Sequence, residues 1–270
     1  MKLFNRVRRF FRSKKPDENS FGYQTLEEVK IPQSTYDING NRDLLIVNIA
    51  KFDNQDGRSG SEVDVESLKS SFGTKSFKLF KDPLNGRVTY NDFHNLLKAY
   101  IKHIQKKGTP KLLAIAIMSH GTENDKILFS DHGTKSVYKI LKPIFTCDEL
   151  TGVPKLVICQ FCRGEFLIPT ATMVADSAND NQTTINGQAD TLFYFATAIG
   201  NLAIRDDRNG SPFIKVFCEI FCKEKNVWEM SIAINRKIAE KDFRINYDGD
   251  ISKYKQIPFF CHSFTKMLIF

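Results

Sequence analysis

In "LVICQFCRGEF" (156–166) an apolar run ends on Gln160, Cys162, Arg163 and Gly164, residue types that a buried strand would not choose. A second such ending stands upstream, where "LLAIAIM" (112–118) runs into Ser119-His120-Gly121. A thiol becomes a strong nucleophile when an imidazole can take its proton. A glycine beside the imidazole lets a backbone N–H approach a developing oxyanion. Cys162, His120 and Gly121 could therefore cleave an amide by thiol attack, provided that the chain brings two strand ends together. Taken singly, each has a plainer reading, since a lone histidine is more often a satisfied structural group than a base. Cys159, inside the apolar run, reads as a buried structural thiol. Cys159 and Cys162 also spell C-x-x-C, but three residues apart on a strand they face opposite ways, and no second ligand pair accompanies them. Neither a metal nor an organic cofactor is expected.

The elements needed to position these groups are legible around them. "DLLIVNIA" (43–50), "LLAIAIM" (112–118), "LVIC" (156–159) and "TLFYFATA" (191–198) read as buried strands. Between them, "EVDVESLKSSF" (62–72) and "YNDFHNLLKAYIKHIQ" (90–105) carry helical periodicity, and "PFIKVFCEIFCKE" (212–224) and a segment around Met230 to Lys241 carry it later. Cys218 and Cys222 fall on an apolar helical face and read as core. A last strand is expected near Ile257 to His262. Strands alternating with helices predict an α/β fold, a central mostly parallel β-sheet with helices on both faces. In such sheets ligands bind beyond the carboxyl ends of the strands, where Cys162 and His120 would meet if their strands are neighbours.

Composition removes several other classes. No apolar run approaches the roughly 18 residues of a membrane span, and six cysteines scattered over 270 residues form no disulfide framework. An intracellular, cytoplasmic protein is expected. The formal charge of +8 suggests nucleic acid until it is located. Lys2, Arg6, Arg8, Arg9, Arg12, Lys14 and Lys15 supply seven of the eight charges before the first acidic residue, Asp17. The remainder is nearly balanced, with no basic stripe, so no nucleic-acid partner is expected.

The sequence resembles the caspases. "QFCRG" differs at one position from the Q-A-C-[RQG]-G signature of that family, whose histidine lies about 50 residues upstream. Here His120 lies 42 residues ahead of Cys162. "GRSGSEVDVESLKSSF" (57–72), "SHGTENDKILFSD" (119–131), "ADTLFYFATAIG" (189–200) and "KQIPFFCHSFTKMLIF" (255–270) are similar to further caspase segments in the same order. The resemblance covers about residues 43 to 270.

It implies a caspase-like fold and a zymogen of the short-prodomain type that cuts proteins after aspartate, in apoptosis or related proteolytic signalling. Cys162 would attack, His120 would assist proton transfer, and the N–H groups of Gly121 and Cys162 would hold the oxyanion. Arg58, Gln160 and Arg205 would bind the aspartate, since guanidinium groups can hold a carboxylate through paired hydrogen bonds. Arg163 reads as structural. Implied partners are aspartate-containing protein substrates, inhibitor proteins, and a second copy or another caspase in a dimer. The sequence departs from the family at Phe161, where alanine is usual, at Leu202 and Ile204, where aromatic subsite walls usually stand, and at Pro212, where tryptophan is common. These departures support an alternative, a weakly active or inactive modulator that dimerises with other caspases.

The implied organisation is a basic N-terminal arm (1–37), a large-subunit region (38–176), an interdomain linker (177–188) and a small-subunit region (189–270), with the folded part starting near Asn39. The polar linker makes Asp176, then Asp180, the expected processing sites, while Asp190 abuts a core strand and should be protected. In the arm, Leu3, Phe4, Val7, Phe10 and Phe11 fall within an arc of about 120° on a helix, with Arg6, Arg9 and Arg12 opposite or flanking. Residues 1–15 therefore suit weak contact with an anionic membrane, the plain alternative being a disordered propeptide removed after Asp17 or Asp37.

Overall fold

The computed structural model describes residues 34–165, 168–169, 189–247 and 250–270. In chain order the elements are β1 (Arg42–Lys51), α1 (Ser61–Thr74), β2 (Phe77–Leu79), β3 (Leu84–Arg87), α2 (Tyr90–Lys107), β4 (Leu112–Met118), β5 (Gly121–Thr122), β6 (Lys126–Leu128), β7 (Thr134–Ser136) and α3 (Val137–Phe145). There follow β8 (Lys155–Gln160), β9 (Ile168–Pro169), β10 (Thr191–Phe195), α4 (Pro212–Lys223), α5 (Val227–Ala239), β11 (Phe243–Tyr247), β12 (Asp250–Lys255) and β13 (Phe259–His262).

Continuous apolar runs form the central strands because both of their faces are covered. The order across the sheet is β13-β10-β8-β4-β1-β2, with β3 also paired to β1. All pairings are parallel except that of β13 with β10. Alternate side chains divide the core. Leu44, Ile46, Ala114, Ala116, Leu156 and Ile158 pack with Leu68 and Phe72 of α1, Phe217 of α4 and Ile234 of α5. On the opposite face Leu45, Val47, Leu113, Ile115, Val157 and Cys159 pack with Phe93 and Leu97 of α2 and Ile140 and Ile144 of α3.

Local chemistry sets several boundaries. Thr89 caps α2 by accepting from the Asp92 N–H, and the Asp92 carboxylate accepts from the Thr89 N–H in return. Pro212 occupies the first turn of α4, where its missing N–H costs nothing. β10 ends at Phe195, short of its apolar run, and the next carbonyl, that of Ala196, accepts from Gln256 Nε2 at 2.8 Å. The α/β fold, with a mostly parallel sheet and helices on both faces, is as the periodicities predict.

Some expectations shift. Tyr36 and Ile38 are buried, so the ordered fold already includes residues ahead of Asn39. Cys218 is buried, whereas Cys222 is exposed near the end of α4 and is not core. Residues 1–33, which hold most of the basic arm, and 177–188, the expected linker with Asp180, lie outside the described residues, as does Asp176. Among the described residues no helix is long and apolar enough to cross a membrane.

Candidate active site

β4 and β8 are parallel neighbours with Met118 opposite Gln160, and the Ser119 N–H donates to the Gln160 carbonyl at 3.2 Å. His120 and Cys162 each stand two residues beyond that last pair, so both leave the carboxyl edge of the sheet at the same level. They line one cavity of about 690 Å³ together with Arg58, Gln160 and Arg205. Leu202, Ile204 and Pro212 line it too, as do Phe243, Arg244 and Ile245 of β11. The β11 residues were not singled out in the sequence.

Close backbone approach explains the glycine after His120. A Cβ on Gly121 would lie 2.2 Å from the Cys162 carbonyl oxygen and 2.9 Å from the Phe161 ring. Phe161 is itself buried, with its ring edge-on to Phe195. The hairpin β5–β6–β7 carries the His120 loop, and the Leu128 N–H donates to the His120 carbonyl at 3.0 Å. Its turn supplies Asp125, a buried carboxylate that accepts from Arg163 Nε at 2.5 Å and Nη2 at 3.1 Å. The residue that follows the cysteine is thereby tied to the loop that follows the histidine. Arg163 also lies 3.9 Å from the Phe195 ring centroid.

His120 packs against the Phe52 ring, and among the described residues its Nε2 is buried without a hydrogen-bond partner. Burial and then the nearby Arg58 charge push its pKa below the ordinary value, while a hydrogen bond to the Asp56 backbone opposes them. Burial pushes the Cys162 thiol up, while the Ala203 N–H, Arg58 and Arg205 pull it down. The Sγ atom accepts from the Ala203 N–H at 3.4 Å and faces the Ala203 carbonyl at 3.8 Å. In this conformation the thiol is engaged by the 202–205 segment rather than by the imidazole, the looser geometry that substrate-free sites often show.

Two cations converge below the thiol. Arg58 is 3% exposed, and its Nη1 donates to Asn48 Oδ1 at 2.7 Å and to the Ile49 carbonyl at 3.4 Å. Burial first, and the Arg205 charge second, push its pKa down to about 10. Arg205 Nη1 donates to the Ser59 carbonyl and to Asp207 Oδ1. The two loops meet because Gly60, at φ +80°, has no Cβ to strike the Asp206 and Asp207 carbonyl oxygens, 2.6 Å from where it would sit. Gln160 is buried beside them, with Nε2 donating to the Ile204 carbonyl at 3.4 Å and Oε1 unpartnered among the described residues.

Several supporting residues escaped the sequence reading. Asn48 and Asp64 hold the arginine side of the cavity, and Gln256 Oε1 accepts from the Ile204 N–H at 2.7 Å. Their common signal is a polar side chain placed in or beside an apolar run. Among the described residues no group of three or more His, Cys, Asp or Glu side chains is arranged to hold a metal ion.

Comparisons with known proteins match the chain as a whole. The chain is 29% identical to caspase-3 of Bos taurus over 238 residues, covering 84% of this chain and 83% of that one. It is also 29% identical to caspase-14 of Homo sapiens over 231 residues, covering 81% and 88%. A crystal structure of caspase-1 from Spodoptera frugiperda superposes with a TM-score of 0.73 over 87% of this chain and 92% of that one, at 22% identity, a likeness of fold. The caspase-domain family model matches residues 42–269, from the first residue of β1 to one short of the C-terminus. A parallel sheet that delivers a cysteine and a histidine to one cleft is thus a caspase-family cysteine protease domain, and the chain belongs to that family.

Proposed function

We propose that the protein is a cysteine endopeptidase that cleaves its protein substrates after aspartate. The observation that carries this reading is the pair Arg58 and Arg205, set with Gln160 in the cavity that Cys162 and His120 line. Arg58 is a buried cation whose hydrogen-bond partners are neutral, a costly state that a substrate carboxylate would relieve. A neutral side chain would leave the buried Arg58 charge unpaired, which favours steep selectivity.

In the reaction Cys162 Sγ attacks the carbonyl carbon of the aspartyl residue as its proton passes to His120. The N–H groups of Gly121 and Cys162 stabilise the oxyanion. His120 then protonates the departing amine, and water hydrolyses the thioester. No group beyond these side chains is invoked.

As further parts of this reading, the chain is a cytoplasmic zymogen of apoptosis or related signalling, processed after Asp176 or Asp180, with residues 1–15 touching anionic membranes. β13, at the sheet edge with Phe259 exposed, offers a surface for a homodimer or a caspase heterodimer. The thiol's engagement with Ala203 favours a second reading, a weakly active modulator of other caspases.

Two fluorogenic peptides, identical except for Asp or Asn before the scissile bond, separate the readings. Cleavage of the aspartyl peptide alone, lost in Cys162→Ala, is expected. Cleavage of neither, with undiminished binding to another caspase, would favour the modulator.

A further inference from the structure

Asn48 is fully buried in the middle of β1, where its neighbours Leu45, Ile46, Val47 and Ile49 are apolar core. A buried amide is tolerated when its polar atoms are paired, and here each kind of atom is paired. Nδ2 donates to Ser61 Oγ at 3.0 Å and to Asn85 Oδ1 at 2.8 Å. Those two acceptors fix which way the amide faces and present its Oδ1 to Arg58 Nη1, 2.7 Å away.

The choice of a neutral oxygen has a chemical consequence. A carboxylate at this position would still accept from Arg58, but it would offset the cationic charge that an incoming anion needs and would have no donor for Asn85 Oδ1. Asn48 orients the guanidinium and leaves its charge unspent. The buried carboxylate of this region, Asp64, is committed elsewhere: its oxygens accept from the Ser211 N–H at 2.7 Å and the Ser211 hydroxyl at 2.6 Å. It thereby fastens the start of α4 to α1; its charge acts on Arg58 and Arg205, but among the described residues its hydrogen bonds go to Ser211.

We infer that Asn48 is a specificity-determining positioning residue of this site: through a neutral oxygen it orients Arg58 so that the full cationic charge meets the acidic side chain of the substrate. The inference rests on the aspartate-directed reading above and deepens it.

The test compares Asn48→Asp with Asn48→Ala in the full-length protein, using the Asp and Asn peptides. Both variants remove the Asn48 donations to Ser61 and Asn85, so a purely structural Asn48 predicts lost stability in each and the same preference for Asp over Asn in both. The electrostatic role predicts that Asn48→Asp harms that preference more than Asn48→Ala. Asn48→Asp should raise KM for the aspartyl peptide by about 10-fold to 100-fold, the worth of one hydrogen bond to a charged group. Its kcat should change little, and its preference for Asp over Asn should fall below that of Asn48→Ala. A selectivity in Asn48→Asp equal to wild type, or no lower than in Asn48→Ala, overturns the inference. If both variants fail to fold in a thermal melt, Asn85→Ala decides, because it frees one Asn48 donor and leaves the strand side chain in place. A raised KM at unchanged kcat supports the inference and an unchanged KM overturns it. A wild type without preference for the aspartyl peptide would instead sink the underlying reading, and the inference with it, before any variant is compared.

Discussion

Gly121 and Cys162 approach so closely that a single added methyl group on the former would sit 2.2 Å from the carbonyl oxygen of the latter. The contact is backbone to backbone, so no side-chain rotation can relieve it. Gly121→Ala should therefore push the His120 loop away from the cysteine and displace the N–H proposed to hold the oxyanion. A loss of about 100-fold or more in kcat/KM is expected, the usual effect of removing such a donor. Steady-state kinetics beside a thermal melt would check it, and a folded variant with wild-type kcat/KM would contradict the oxyanion role.

The two cysteines of the C-x-x-C sequence should separate cleanly. Cys159 is fully buried on the α2 and α3 face, where burial raises its thiol pKa well above the ordinary value. Cys162 lies beyond the strand, in the cavity. Cys162→Ala should abolish peptide hydrolysis. Cys159→Ser should keep most of it while losing about 1–3 kcal/mol of stability to an unpaired buried hydroxyl. Equal loss of activity in both variants would point to the dithiol instead.

What was readable in the sequence follows from how each element earns its stability. β1, β4 and β8 announce themselves because both faces are buried, which makes uninterrupted apolar runs. The motif residues at their ends were readable through spacing and resemblance. α3 was not, since its nine residues include Pro143 and barely exceed two turns. The pairs β2, β3 and β5 to β7 are two to four residues long and exist only through their partners. Asn48 and Asp125 were missed for a related reason, as each partner, Arg58 or Arg163, lies beyond a loop in the sequence and only folding brings them together.

The depressed His120 pKa makes a stability prediction. Unfolded, the imidazole takes a proton near its ordinary value of about 6.5, whereas the folded site resists it. Stability is thus whole above that value and declines as pH falls through it toward the lower folded pKa. His262, also depressed by burial, acts in the same direction. The Tm should drop between pH 7.5 and 5.5, and the neutral variant His120→Gln should make the drop shallower. An unchanged slope in that variant would show that His120 takes its proton as readily folded as unfolded.

The Arg163–Asp125 pair joins the two loops of the candidate site while both partners are buried. Arg163→Met leaves a buried carboxylate that, among the described residues, is helped by Tyr138 OH at 3.3 Å, and should cost about 3–5 kcal/mol. Adding Asp125→Asn removes that stranded charge, and asparagine tolerates the local φ of +53°. Urea unfolding should find the double variant more stable than Arg163→Met alone. Additive losses would mean that the two residues act independently.

If the chain is processed as proposed, Asp190 should survive, although it directly precedes β10. It is 7% exposed, and its carboxylate accepts from Tyr36 OH at 2.5 Å and Thr265 Oγ1 at 2.9 Å. Its backbone is committed as well, with the N–H donating to the Ser263 carbonyl at 3.0 Å and the carbonyl accepting from the Lys155 N–H at 2.8 Å. A protease needs an extended segment whose backbone is free to pair with its cleft, and cutting here would first require β10 to leave the sheet. Mass spectrometry of the expressed wild type should find ends after Asp176 or Asp180 and none after Asp190, and Cys162→Ala should remain uncut. Tyr36→Ala, which removes one clasp, should admit cutting after Asp190 only under conditions that already loosen the fold. Ready cleavage there in the native wild type would show that the β10 edge opens far more easily than its bonds imply.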